Sequence, residues 1–467
     1  MGRRALKRKN QTENNLIGGD TLLKDSVDII HNAYYQSFSK PINDLLDLSR
    51  KAECQSNKLK LFELQLVLFE MLASGEKAVT EANKLYGTQP EPSIKLFRTR
   101  NKYINVAYRQ LADSIAWREL GFDRFSTRVL AQGRSAGHVV NKLGSARELN
   151  FARDVAVELN QSVLINDVTN CLLVGDITCI SKSGMPYVFE VKNKKIKSAK
   201  YVMDKIEAGI KIDGKQDPRL LIAQTMLFSR KYRDGGNRIP VFDITHTASD
   251  HMPAVHKLLR KACNTGMAGA LVAPYLYVEA IDLSANNLQL TERPEKLFDG
   301  TPVGVLSSYD RLVMLHNKNV PRSHVPYANF PFDTDIITRL IMGTLYVNAY
   351  VIEEPLIEAF SEFGWELRIN KSALDASPKI TGSDETQFFS NAMLFPETPY
   401  RPPDMFVLRH PWDGFIFPIF DHMMTMLAEF TSVEYIATMA HELHINAYSD
   451  GERLLYPISV SDRARWI

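Results

Sequence analysis

The chain has 467 residues, of which 45% are hydrophobic and 24% are charged, so it is long enough for two or three folded domains. Its formal net charge of +2 excludes a strongly basic or acidic protein. It does not exclude a nucleic-acid enzyme, because such enzymes often carry a local basic patch. The four cysteines lack C-x-x-C spacing, and no apolar run is long enough to span a membrane or to form a signal peptide. We therefore expect a cytoplasmic protein that does not contact a membrane.

The N-terminal part is predicted to be a tail followed by a helical domain. Residues 1–19 carry five basic side chains and are otherwise mainly polar, which predicts a disordered basic tail that either binds phosphate or keeps the terminus soluble. Over residues 20–137 apolar residues such as Leu61, Leu64 and Leu68 recur every three or four positions, which predicts helices. Because acidic residues are interleaved, a solvated face is expected for the basic residues Arg98, Arg100, Lys102, Arg109, Arg118 and Arg124.

A β-hairpin is predicted where two apolar, β-branched runs, residues 171–180 and 186–193, flank a short turn. The turn ends in Gly184, which has no Cβ to clash at positive φ. With the turn centred on Ser183, Asp176 faces Glu190 across the hairpin, unless a bulge at the turn shifts the pairing by one position. Lys192 shares the face of Glu190, because alternate residues of a strand point the same way.

The hairpin carries the chemistry of a metal site. Two neighbouring carboxylates repel each other, and oxygen ligands favour the hard ions Mg²⁺ or Mn²⁺ over zinc. Asp176 followed by Glu190-Val191-Lys192 resembles the D-xn-E-x-K signature of the PD-(D/E)XK nuclease superfamily. The resemblance implies that the acidic pair holds the metal, that Lys192 positions the attacking water, and that the substrate is nucleic acid, DNA rather than RNA. An E-x-K string is also typical of a solvated strand edge, so the motif needs structural context.

That context is predicted over residues 138–282, as an α/β, restriction-endonuclease-like core with the order α-β-β-β-α-β. A helix at 145–160 carries Glu148 on its apolar stripe, which makes Glu148 a further candidate metal ligand. Glu158 lies off the stripe and ranks lower. The remaining strands are expected near residues 162–166 and 239–245.

Basic and amide side chains follow the hairpin. A phosphate backbone is the expected ligand of Lys194, Lys195, Lys197 and Lys200, although an exposed helix start would show the same pattern. Gln224 resembles the helical glutamine of RecB-like superfamily members and is a candidate auxiliary residue. Where those members have a tyrosine four residues later, this chain has Phe228, so a satisfied amide is the alternative.

Residues 283–467 are predicted to be a mixed α/β C-terminal region without an established motif. Strands are expected at 303–307, 365–369, 405–409 and 415–419, and helices at 334–343, 354–363 and 420–447. A zinc site is an alternative suggested by His410, His422, His441, Glu442 and His444. The string H-E-L-H is one residue shorter than the zinc-protease spacing, and lone histidines are more often structural.

The sequence thus predicts a metal-dependent endonuclease that acts in restriction or anti-phage defence, because long flanking regions occur in bacterial effectors of that kind. Two alternatives stay open: a nuclease-like module that binds nucleic acid without cleaving it, and a zinc hydrolase that uses the C-terminal histidines. No glycine-rich phosphate loop occurs, so a step driven by ATP would require a partner ATPase. The flanking regions leave room for homo-oligomer contacts or for a protein activator.

Overall fold

In the computed structural model, the residues with a described position are 20–54, 57–131, 139–140, 145–190, 198–207, 218–234, 237–240, 242–243, 250–285, 302–307, 325–369, 406–410, 416–417, 427, 429–449 and 460–461. They combine long helices with small, mainly antiparallel sheets. The chain is therefore a mixed α/β protein. No helix among these residues is long and apolar enough to cross a membrane.

Four helices form the N-terminal part: α1 (Asp20–Cys54), α2 (Lys58–Thr88), α3 (Pro92–Glu119) and α4 (Arg124–Leu130). The side chain of Asn57 caps α2 by accepting a hydrogen bond from the N–H of Lys60 (3.0 Å). Pro92 suits the first position of α3, where an N–H would have no intrahelical partner. Leu61 and Leu68 are buried, so the predicted apolar stripe is confirmed.

Three arginines of this part do not lie on a solvated face, and that prediction was wrong for them. Arg109 and Arg124 are only 9% and 1% exposed. Arg109 pairs with Glu76 (3.0 Å), and Arg124 pairs with Glu429. The half-buried Arg118 donates to the side chain of Asn329, which lies 211 residues later. Their partners are remote in sequence, so a local charge pattern cannot reveal them.

Strands β1 (Ser162–Ile165), β2 (Ile177–Ile180) and β3 (Pro186–Phe189) form an antiparallel sheet in the order β1-β2-β3. The central strand β2 is buried along its whole length, as expected for a strand covered on both faces. Helix α5 (Ser145–Glu158) contacts this sheet and buries Ala152 and Val155. The predicted order of one helix and three strands is therefore present.

The central strand is shorter than predicted, because residues 171–176 form a loop. The buried carboxylate of Asp113, on α3, accepts the backbone N–H of Asn170 (2.6 Å) and of Cys171 (3.0 Å). These donors are then satisfied without a strand partner. Since Asp113 lies 57 residues before Asn170, the apolar run itself gives no sign of this interaction.

Beyond the hairpin come α6 (Ala199–Glu207), α7 (Pro218–Ser229), β4 (Lys231–Asp234), β5 (Asn237–Pro240) and β6 (Phe242–Asp243). The single strand predicted at 239–245 was wrong in extent, because β5 pairs with β4 while β6 pairs in parallel with β14 (Val460–Ser461). In the described part of the chain neither joins the β1-β2-β3 sheet. The restriction-endonuclease-like core therefore stays a prediction.

The C-terminal part contains a four-stranded antiparallel sheet of order β7-β8-β10-β9. Its strands are β7 (Met267–Ala273), β8 (Leu276–Asp282), β9 (Pro302–Ser307) and β10 (Leu345–Ile352), preceded by α8 (Met252–Thr265). The remaining elements are α9 (Thr334–Met342), α10 (Glu353–Glu362), β11 (Glu366–Ile369), β12 (Phe406–Arg409), β13 (Ile416–Phe417) and α11 (Val433–Ser449). Most predicted elements are confirmed. The helix predicted at 420–447 is not continuous, because Thr431, just before α11, forms a bridge with Asp250.

The parts of the chain pack together around a shared core. Buried apolar side chains form one contiguous cluster from Tyr34 to Ala440, and the β7-β8-β10-β9 sheet joins strands from both sides of residue 282. Polar contacts add to this packing, since Arg50 of α1 donates to the carbonyl oxygen of Phe332 (2.9 Å) just before α9. The domain boundaries proposed from sequence stay a prediction.

Candidate active site

The β2–β3 hairpin has the predicted register. Its last ladder pair is Ile177 opposite Phe189, and Gly184 in the turn has a φ of +79°, the conformation for which glycine was expected. Asp176 and Glu190 follow directly beyond that last pair. The hairpin thus brings two carboxylates, both half-buried, to the same end of the sheet.

The backbone of Asp176 is held between the two neighbouring strands. Its carbonyl oxygen accepts the N–H of Asn166 (3.0 Å), and its own N–H donates to the carbonyl oxygen of Phe189 (2.7 Å). Because Phe189 is already the partner of Ile177, this bond draws Asp176 out of direct pairing with Glu190, as happens in a β-bulge. The pairing next to the turn is regular, with Ile180 opposite Pro186. The departure from direct pairing therefore lies at Asp176, and not at the turn, where a bulge was allowed for.

Asn166 orders the loop that presents Asp176, and sequence reasoning missed it. Its buried amide donates to the carbonyl oxygens of Val174 (2.8 Å) and Gly175 (3.3 Å), and its Oδ1 accepts the hydroxyl of Thr178 (2.9 Å). The chain is thus fixed on both sides of Asp176. A lone asparagine after an apolar strand is not a recognisable signal, and only its position directly after β1 hints at such a role.

Gly175 has little room for a side chain, and replacing it tests how tightly the Asp176 loop is held. Its φ is +72°, and an added Cβ would lie 2.5 Å from Val188 Cγ1 and 2.8 Å from the carbonyl oxygen of Phe189. We expect Gly175→Ala to cost about 1–2 kcal/mol for the backbone conformation and about 1–3 kcal/mol more for the overlap. Denaturant unfolding measures the loss.

Gly184→Ala is the matched control for that substitution. Gly184 has a similar φ, but no atom lies within 4 Å of its added Cβ, so only the conformational cost applies. Equal losses of unfolding free energy for the two variants would contradict the tight packing around Asp176.

Helix α5 brings Glu148 towards the same end of the hairpin. The ring of Phe151 lies 5.6 Å from the ring of Phe189, the residue before Glu190. Glu148 precedes Phe151 by three positions, so both lie on one side of the helix, and Glu148 is half-buried there. Glu158 is exposed, as its lower rank anticipated.

Gln224 of α7 binds the outer edge of β3. Its side chain accepts the N–H of Val188 (2.9 Å) and donates to the carbonyl oxygen of Pro186 (3.1 Å). Gln65 of α2 binds β1, the opposite edge strand, through the same two kinds of hydrogen bond (both 2.8 Å). Two glutamines thus cover both sheet edges, which would otherwise present unpaired backbone groups. For Gln224 this geometry matches the satisfied amide that was the alternative to an auxiliary role.

The predicted basic residues are only partly described. Lys200 is exposed at the start of α6. Outside the described residues lie Lys192, Lys194, Lys195 and Lys197. Their roles therefore stay predictions.

The donor chemistry at the hairpin suits a hard divalent cation. Among the described residues no group of three or more His, Cys, Asp or Glu is arranged to hold a metal ion. Mg²⁺ commonly uses one or two protein carboxylates and completes its shell with water and phosphate oxygens. Asp176 and Glu190 supply donor atoms of that kind, and Glu148 is a third carboxylate on the adjoining helix. Burial raises the pKa of the Cys179 thiol, so this cysteine is a poor thiolate ligand for zinc.

Two of the C-terminal histidines pack against an aromatic ring. The rings of His410 and His441 lie 5.3 Å and 5.1 Å from that of the buried Trp365, and 6.0 Å from each other. Nε2 of His441 is also 3.0 Å from the carbonyl oxygen of Phe363. These are contacts of structural histidines. Of the other zinc candidates, Glu442 is half-buried, whereas His422 and the side chain of His444 lie outside the described residues. The zinc alternative therefore stays a prediction.

Comparison of the chain with family models, with curated proteins and with solved structures gives no match. The assignment of a function therefore depends on the residues of the chain itself. Asp176 and Glu190, with Glu148 on the adjoining helix, are the residues from which it starts.

Proposed function

We propose that the chain is a metal-dependent nuclease with its active site at the end of the β2–β3 hairpin. Asp176 and Glu190 hold Mg²⁺ or Mn²⁺, Glu148 contributes through water, and Lys192 orients the attacking water. The observation that carries this proposal is the hairpin register, which brings two half-buried carboxylates from separate runs of sequence to the same end of a buried sheet.

Electrostatics favour a cation at this place. Two half-buried carboxylates at the same end of the hairpin repel each other, and a divalent cation between them offsets the repulsion. When bound, Mg²⁺ supplies stabilisation of the negative charge on the phosphate oxygens during attack. The ammonium group of Lys192 offsets further negative charge, and removal of one such preorganised partner typically lowers a rate by about 10²-fold or more.

The substrate is nucleic acid, with DNA preferred to RNA by the resemblance, and the expected products carry a 5′-phosphate and a 3′-hydroxyl. Lys194, Lys195, Lys197 and Lys200 follow the site and draw the phosphate backbone towards it. We place the activity in the cytoplasm, in restriction or anti-phage defence. Protection of a bacterial host against phage, lost in the Asp176→Ala variant, is the result that supports this role.

Cleavage of supercoiled, linear and single-stranded DNA, and of RNA, tests the proposal. Wild type is compared with Asp176→Ala and Lys192→Ala in Mg²⁺ or Mn²⁺, with chelator as the blank. We expect wild type to cut and both variants to cut at least about 10²-fold more slowly, while their circular dichroism spectra are unchanged.

Cleavage unaffected by both substitutions would overturn the assignment. Binding of DNA without cleavage by wild type would favour the silent binding module. Cleavage that depends on zinc and is lost in His441→Ala alone would favour the zinc hydrolase.

A further inference from the structure

The antiparallel helix pair α2–α3 extends past the end of the sheet that carries the proposed site. Gln65 of α2 forms a hydrogen bond to β1. Further along α2, Glu76 pairs with Arg109 of α3. Arg109 in turn donates to the carbonyl oxygen of Asp167 (2.8 Å), just after β1. From Glu76 the helix continues for about 18 Å to its end. We call the outer part of this helix pair, residues 81–102, the arm.

The arm carries a local excess of positive charge. Its cations are Lys84, Lys95, Arg98, Arg100 and Lys102, and its anions are Glu81 and Glu91. Five cations and two anions give the arm a net charge of +3, which exceeds the net charge of +2 of the whole chain. Lys95, Arg98 and Lys102 follow helical spacing and share one face of α3. The three lysines of the arm are exposed.

The cations of the arm differ from the arginines nearer the core. Within the described part of the chain none of the five forms an ion pair, whereas Arg109 and Arg124 are each paired with a glutamate. The Nε atoms of Arg98 and Arg100 are buried and donate to no acceptor among the described residues. Arg98 donates to the side-chain oxygen of Asn83 (3.3 Å), a neutral partner that does not offset its charge. Surface cations without a counter-charge are suited to an anionic ligand.

Aromatic side chains lie among these cations. The guanidinium of Arg98 is 5.3 Å from the ring centre of Tyr86, and the neighbouring Phe97 is 53% exposed. Cations that follow a phosphate backbone, together with rings on which bases stack, are the usual means of binding single-stranded nucleic acid. A duplex keeps its bases stacked inside and offers no such partner to Phe97.

Helix α1 begins at the same end of the fold as the arm. Helix α1 packs against α2 and ends where α2 begins, since the N–H of Asn57 donates to the carbonyl oxygen of Ala52 (2.9 Å). The two helices therefore run antiparallel. The ring of Tyr34 lies 6.5 Å from that of Tyr103, at the base of the arm. From there α1 extends back about 21 Å to Asp20, so the start of α1 lies near the outer end of the arm.

We infer that the arm binds a single-stranded segment of the nucleic acid that enters the active site, with phosphates on the α3 cations and a base on Phe97. This inference rests on the proposed function for the identity of the ligand and adds its strandedness. Binding is measured by fluorescence anisotropy of the full chain with a labelled single strand of DNA, its duplex and the matching RNA strand. Chelator is present throughout, so that no cleavage occurs.

The triple variant Lys95→Glu, Arg98→Glu, Lys102→Glu is expected to weaken binding of the single strand at least tenfold. It should also flatten the dependence of log affinity on log salt by about 2, because each lost contact with a single strand removes about 0.7 from the slope. Phe97→Ala is expected to lower affinity about tenfold with the salt slope unchanged. A matched triple, Lys182→Glu, Lys257→Glu and Lys261→Glu, reverses exposed charges outside the arm and should retain wild-type affinity.

Three results would overturn the inference: no binding of any nucleic acid by wild type, equal losses in the two triple variants, or tighter binding of duplex than of single strand through the arm. Its failure is distinguishable from failure of the proposed function. Wild type that binds through the arm but never cuts contradicts the nuclease alone. Arm variants that bind and cut like wild type contradict the arm alone.

Discussion

Neutralising either carboxylate of the hairpin is expected to lower nucleic-acid cleavage by about 10²-fold or more. Asp176→Asn and Glu190→Gln keep the size and shape of the side chains, so the fold should persist while the negative charge that holds the metal is lost. Glu148→Gln should have a smaller effect, about 10–100-fold, as is typical of residues that act on a metal through an intervening group. The measurement is the single-turnover cleavage rate in Mg²⁺.

Glu158→Gln is the matched control for these variants. Glu158 lies on the same helix as Glu148 but is exposed, so its neutralisation should leave the rate within about twofold of wild type, as expected for surface substitutions. Equal rates for Glu190→Gln and Glu158→Gln would show that the end of the hairpin is not the active site.

Removing one partner of the buried pair Arg124–Glu429 is expected to produce the largest loss of stability, about 3–5 kcal/mol. Both side chains are almost inaccessible to solvent, and Nη1 of Arg124 lies 3.2 Å from Oε1 of Glu429. That oxygen also accepts the N–H of Val325 (2.9 Å). Glu429→Gln retains an acceptor for this N–H but leaves the buried guanidinium without its counter-charge. The pair therefore ties α4 to the C-terminal part of the chain.

The free energy of unfolding in guanidinium tests this prediction. Adding Arg124→Met to Glu429→Gln should recover part of the loss, because the uncompensated charge is then gone. The control is Glu366→Gln, which breaks an exposed pair with Arg368 (2.7 Å) and should cost no more than about 1 kcal/mol. A loss below 1 kcal/mol for Glu429→Gln, or strictly additive effects in the double variant, would contradict a coupled buried pair.

The hairpin was predictable from sequence because its determinants are local. A three-residue turn ending in Gly184 and the two-residue period of the strands set the register without any remote contact. The start of β2 was not predictable, since Asp113 on α3 satisfies the backbone N–H groups of Asn170 and Cys171. Likewise, the arginines taken for a solvated face find acceptors far away, among them Glu429, which lies 305 residues after Arg124.

The candidate site shows the same division. The motif and the register single out Asp176 and Glu190, and the period of α5 selects Glu148 over Glu158. The irregularity at Asp176 and the role of Asn166 depend on hydrogen bonds between residues at the ends of β1, β2 and β3. The spacing of residues in the sequence does not predict such bonds. Pattern thus finds the carboxylates, whereas the contacts that orient them appear only in three dimensions.

Binding of Mn²⁺ tests the central claim most directly. Paramagnetic resonance would follow the titration of wild type, Asp176→Asn, Glu190→Gln and Glu158→Gln, each with and without a phosphorothioate oligonucleotide that resists cleavage. A metal centre at the hairpin predicts that wild type and Glu158→Gln bind Mn²⁺ alike, while Asp176→Asn and Glu190→Gln bind at least tenfold more weakly. Equal affinity in all four proteins, or no binding by wild type even with the oligonucleotide, would contradict it.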